Sequence, residues 1–172
     1  MLIPADMSDL INIAVLKEEL EAILQYWTEH TIDKAHGGFI GEIGADNQLK
    51  PGAQKGLVLN SRILWSFSAA AIVYPGKNRE QMAHRAYRYI RDHFIDPVHG
   101  GAYWSLTETG KKQDGKKQIY GIAFCIYGLS EYVKLTASIE ALQLAKRLFF
   151  PLKSMRQIRT KKAIAALRFG IK

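Results

Sequence analysis

The chain has a single cysteine, Cys125, among 172 residues, so no internal disulfide can form, and the expected location is the cytoplasm. Nowhere does it approach the run of about 18 uncharged apolar residues that a membrane span requires. Its first residues, Met1-Leu-Ile-Pro-Ala-Asp6, lack the basic stretch followed by an apolar core that marks a secretory leader. It has five histidines, but no His-x-x-x-His and no pair at metal-ligand spacing with a third candidate. Its glycine pairs lack the strand–loop–helix setting of a phosphate loop. Neither a metal nor a nucleotide cofactor is therefore expected.

Acidic residues are missing from one place in particular. Residues 151–172 hold seven lysines and arginines and no acid, whereas the whole chain carries a net charge of +8. The other 150 residues are left with +1, so the basic character belongs to the tail and not to the body. Nucleic-acid binding through the tail is one reading. However, Phe169 is the tail's only aromatic and no recognition motif accompanies it. The expectation is instead non-native sequence or a disordered or helical extension, with no nucleic-acid partner.

What is present is a repeat. Ile-Asp-x-x-His-Gly-Gly occurs at Ile32–Gly38 and again at Ile95–Gly101, 63 residues apart. Such a period marks copies of one supersecondary unit. After each motif comes a short hairpin-like stretch, Phe39–Ile43 or Tyr103–Leu106, then Lys55 or Lys117, then a long apolar helix. The lysines and helices align at an offset of 62, one residue shorter than the motifs.

The spacing predicts five helices: from a Ser8 cap to about Glu29, from Ala53 to Tyr74, from Arg79 to His93 behind an Asn78–Gln81 capping box, from Lys116 to Leu135, and from about Ser138 to Pro151. The odd-numbered helices are amphipathic. The second and fourth are apolar almost all round, with Arg62 the only charge between Gly56 and Pro75 and none between Gln118 and Ser130. A helix without a polar face is expected to be covered on every side. Alternating half-exposed and buried helices describe an all-α arrangement of αα-hairpins, an outer ring around an inner ring, with short β-hairpins in the connections. An ordinary helical bundle is the alternative. A third motif falls due at 162–164, where the chain reads Lys162-Ala-Ile164. About two and a half units are thus expected, with an open edge available for self-association.

Arg62 stands out, because a guanidinium on an apolar helix needs a partner or a wet cavity. A structural ion pair with Glu42 or Asp46 is one reading and a site is the other. Val58, Arg62, Trp65 and Ala69 share one helix face, and Tyr120, Phe124, Tyr127 and Glu131 share the equivalent face of the fourth helix. Aromatics beside a lone arginine suit a sugar, whose apolar ring face stacks and whose hydroxyls need donors. A plain core role for Tyr120 and Phe124 is the competing reading. His36 and His99 are expected to support their turns, His84 and His93 to lie on an outer helix, and His30 to complement a helix C-terminus.

Three stretches carry a family resemblance: Lys55-Gly-Leu-Val-Leu-Asn-Ser-Arg-Ile-Leu-Trp-Ser-Phe-Ser68, Gly100-Gly-Ala-Tyr-Trp-Ser105 and Lys117-Gln-Ile-Tyr-Gly-Ile-Ala-Phe-Cys-Ile-Tyr-Gly-Leu-Ser-Glu-Tyr132. They resemble the cellobiose 2-epimerases of the N-acylglucosamine 2-epimerase superfamily. The resemblance implies part of an (α/α)6 barrel over residues 1–150, with 151–172 unlike the family. It implies epimerisation at C2 of the reducing-end glucose of a β-1,4-linked disaccharide through an enediolate, without metal or nucleotide. Arg62 matches the family's active-site arginine and would stabilise the oxyanion. Tyr120 and Phe124 match its sugar-contacting aromatics, and Asn60 is placed with them as substrate-binding. None of the five histidines matches the family's catalytic pair, which is expected beyond residue 172, so the chain alone is expected to show little activity. A non-catalytic helical interaction module is the alternative.

Overall fold

The apolar stripe of the first helix becomes a helix where a side chain caps it. In the computed structural model, which describes residues 12–150, Asn12 Oδ1 accepts the Ala14 N–H at 2.9 Å and α1 runs Ile13–His30. The expected Ser8 cap lies outside the described residues. α2 spans Leu57–Val73, α3 Lys77–Tyr89 and α4 Ile119–Thr136. α3 ends in a wider π-type turn, Ile90–Phe94. A final helix, α5, occupies 139–150, with Ser138 Oγ accepting the Ala141 N–H.

Two expected starts are corrected: α2 begins at Leu57 rather than Ala53, because Lys55 and Gly56 pair as a strand, and the cap of α3 differs. The Asn78–Gln81 capping box does not form; Gly76 is the N-cap of α3 and no side chain bonds its first turn. Arg79 is engaged elsewhere, donating to the Tyr74 carbonyl and pairing with Glu21 of α1.

The alternation of amphipathic and apolar helices becomes two layers. α2 packs most extensively against α4, and α3 lies behind them. Leu57, Leu64 and Phe67 of α2, Ala86 and Ile90 after it, and Leu129 of α4 are buried in one core. Each large apolar side chain so buried contributes about 1.5–3 kcal/mol relative to exposure. Complete cover was expected for α2 and α4, and this is corrected too. Arg62, Ser66, Ile72 and Val73 on α2 are exposed, as are Tyr120, Ala123, Tyr127 and Ser130 on α4. One side of the inner layer is thus open among the described residues.

The connections repeat as the motif does. Single β-bridges, Ile32↔Phe39 and Ile95↔Ala102, close the two turns at equivalent positions. The glycines of both pairs have positive φ, between 63° and 76°, which a side chain would strain. A three-stranded antiparallel sheet joins the copies: β1 (Lys55–Gly56) pairs with β2 (Ser105–Leu106), and β2 with β3 (Lys112–Asp114). The first connection adds only the bridge Ile43↔Leu49 where a hairpin was expected. The basic tail lies outside the described residues.

Candidate functional site

Each repeated turn is built around its aspartate. Asp33 Oδ1 accepts the N–H groups of Ala35 and His36 at 2.9 and 2.8 Å, and Asp33 Oδ2 takes Lys55 Nζ at 2.6 Å. Asp96 does the same with Val98, His99 and Lys117, the last at 2.8 Å. Each ammonium also lies over a tyrosine ring, Lys55 on Tyr89 and Lys117 on Tyr103. The first turn is clamped further. Arg85 of α3 donates to the carbonyls of Gly38 and Asp33, and Lys55 donates to that of Gly37.

Burial alone raises the Asp33 carboxyl, but the Lys55 hydrogen bond and the two N–H donors more than offset it, leaving it below its ordinary value. The Lys117 bond, followed by the His99 N–H, holds Asp96 far below the carboxylate range. These pairs were not foreseen as pairs. The signal was present, since Asp and Lys recur at matching places in both copies, but the spacing does not show that they meet.

Because each lysine directly precedes an inner helix, these clamps fix where α2 and α4 begin. Arg62, in the second turn of α2, is exposed and makes no ion pair among the described residues. Neither expected partner reaches it: Glu42 pairs with Lys50, and Asp46 accepts the Gln48 N–H of its own turn. Arg62 borders a groove of about 430 Å³ between α1 and α2, lined by Ile23, Leu24, Trp27, Val58 and Ser66.

On α4, Tyr120 is 61% exposed and meets the half-buried Phe124 edge-to-face, with centroids 4.9 Å apart. The α2 and α4 faces are continuous, because Trp65 stacks on Tyr127 at 5.2 Å with the planes 13° apart. Asn60 stands apart from these residues. It is 0% exposed, and its side-chain nitrogen donates to the Gly56 carbonyl at 2.9 Å while its Oδ1 has no partner.

The histidines are occupied away from this face. His36 and His99 lie 3.6 and 3.5 Å from the aspartates of their turns. His84 Nδ1 is 2.7 Å from the Tyr132 hydroxyl, His93 stacks on Tyr89, and His30 packs against Tyr26. No group of three or more metal-ligating side chains occurs among the described residues. Cys125 is buried and its thiol is pushed up to about 12. Among the described residues the arrangement offers aromatic surface and guanidinium donors, with no histidine on this face.

A profile of the N-acylglucosamine 2-epimerase (GlcNAc 2-epimerase) family matches residues 16–164. The chain is 46% identical over 148 residues to the cellobiose 2-epimerase of Bacteroides fragilis, a match covering 86% of this chain and 38% of that protein. Among solved structures it resembles a sugar epimerase from a ruminal bacterium, with a TM-score of 0.76 and 39% identity over 80% of this chain and 35% of that one. The cellobiose 2-epimerase of Spirochaeta thermophila gives a TM-score of 0.75 and 35% identity over 82% and 36%. The chain thus spans about two-fifths of the length of the curated relative it matches.

Proposed function

The chain belongs to the N-acylglucosamine 2-epimerase family, and from that premise we propose that it forms the substrate-holding wall of a carbohydrate 2-epimerase acting on a cellobiose-like disaccharide. The relatives are (α/α)6 barrels, and the two αα-hairpins with α5 are consecutive units of that architecture. The observation that carries the reading is Arg62: a guanidinium, exposed and without an ion pair among the described residues, on an otherwise uncharged inner helix beside an aromatic face.

In this reading the proton on C2 of the ring-opened sugar is removed next to the C1 aldehyde, and the resulting enediolate is reprotonated from the opposite face. Arg62 meets the negative charge that develops on oxygen, where a preorganised cation acts most strongly. Tyr120 and Phe124 hold the apolar edge of the sugar. Asn60 is buried apart from them, and its Oδ1 can accept from a sugar hydroxyl only if that side chain is uncovered.

The acid–base pair needs groups titrating near neutrality, for which histidine is suited. With no histidine among the described residues lining the Arg62 groove or touching the Trp65–Tyr127 stack, we assign that pair to sequence beyond this chain, and little turnover is expected from the chain by itself. The alternative, a non-catalytic interaction or self-associating module, draws on the exposed Ile119, Tyr127, Ile139 and Phe150.

The test is cellobiose binding followed by saturation-transfer NMR. The intact chain is expected to show transfer to the sugar, and Arg62→Ala to weaken it about tenfold. Because Arg62 is exposed, its removal should change stability by no more than about 0.5 kcal/mol. Equal binding by Arg62→Ala, or no transfer to any β-1,4-linked disaccharide, overturns the proposal.

A further inference from the structure

Three parallel ring pairs occur among the described residues: Trp65–Tyr127, Tyr87–Tyr132 and Tyr89–His93. A flat ring can receive a sugar only if one of its faces is free. Tyr87 and Tyr132 are 4% and 5% exposed, so that pair offers no surface. Tyr89 is buried under the Lys55 ammonium, and its exposed partner, His93, presents a polar imidazole rather than an apolar ring face. The Tyr120–Phe124 pair is tilted at 62°, so the edge of one ring is turned toward the other. Tyr127 is the exposed tyrosine of these stacked pairs: it lies nearly parallel to Trp65 yet is 52% exposed.

We infer that Tyr127, backed by Trp65, is the stacking platform for a pyranose ring in this site. The inference rests on the reading of the chain as a sugar-binding wall and adds the residue that carries the ring. A pyranose presents a patch of C–H groups on one face, and this patch packs on a flat aromatic surface while the hydroxyls at its rim seek donors. Tyr127 lies one helical turn beyond Phe124, and its backing ring, Trp65, lies one turn beyond Arg62. The guanidinium and the platform therefore belong to one continuous surface.

The platform is also rigid. A Cβ on Gly128, the next residue, would come within 2.6 Å of the Ser61 carbonyl oxygen, so α2 and α4 approach closely beside the stack. A preorganised ring loses less freedom on binding than a mobile one.

The experiment repeats the cellobiose titration on the intact chain with Tyr127→Phe, Tyr127→Leu and Tyr127→Ala, recording NOEs from the Tyr127 ring protons to the sugar. Tyr127→Phe should bind as the parent does. Tyr127→Leu, which keeps apolar volume without a ring face, and Tyr127→Ala should both weaken binding about tenfold. The parent should show NOEs to protons of a single sugar face. If the parent binds cellobiose and Arg62→Ala weakens it while Tyr127→Leu does not, the platform is wrong and the proposed function stands. If the parent binds no sugar, both fall.

Discussion

At Lys55 an ammonium that is 1% exposed is held by one carboxylate, one carbonyl and the face of one ring. Removing one partner of such a pair leaves a buried charge uncompensated, at a cost of about 3–5 kcal/mol. Lys55→Met should lose an amount of that order in urea denaturation, and Lys117→Met less, because the Lys117 side chain is 22% exposed. The same pair sets an acid limit. The Asp33 carboxyl is held below its unfolded value of about 4, so its stabilisation is fully present above that pH and is lost as pH falls through the lower folded value. Urea midpoints should therefore drop below about pH 4. Asp33→Asn should start lower and show a shallower decline; an unchanged decline would remove Asp33 from the account.

Between elements, the α2–α4 contact decides where the site lies, and at Gly128 the two helices approach closely. A methyl group there would overlap the Ser61 carbonyl oxygen, backbone that cannot swing aside. Gly128→Ala should cost about 1–3 kcal/mol as an overpacked contact. It should also weaken the near-ultraviolet circular dichroism from the Trp65–Tyr127 stack. Gly56→Ala is the control: its Cβ would meet nothing within 4 Å, its φ of −87° suits any residue, and its carbonyl stays free to accept from Asn60. A Gly128→Ala melt matching that of Gly56→Ala would show that the helices are not locked there.

For the molecule as a whole, Cys125 reports on integrity. It is fully buried, with its thiol pushed up to about 12 by desolvation and only partly drawn back by Ser61. Only the thiolate attacks disulfide reagents. Labelling at neutral pH should thus be slow and should follow urea unfolding. Fast labelling in native buffer would mean that the α2–α4 core opens locally.

The sequence by itself determined the repeating unit, its outer and inner helices, and the turns that glycine pairs with positive φ impose. These follow from local periodicity and backbone sterics, which residues close in the chain settle among themselves. It also marked Arg62, because one charge on an apolar helix is anomalous wherever the helix packs. Only the tertiary structure decided the rest. It joined Asp33 to Lys55 across 22 residues, withdrew Asn60 into the interior, left one side of α2 and α4 open, and turned Tyr127 flat against Trp65. Each of these depends on which faces meet when helices distant in sequence come into contact, and spacing along the chain carries no record of that meeting.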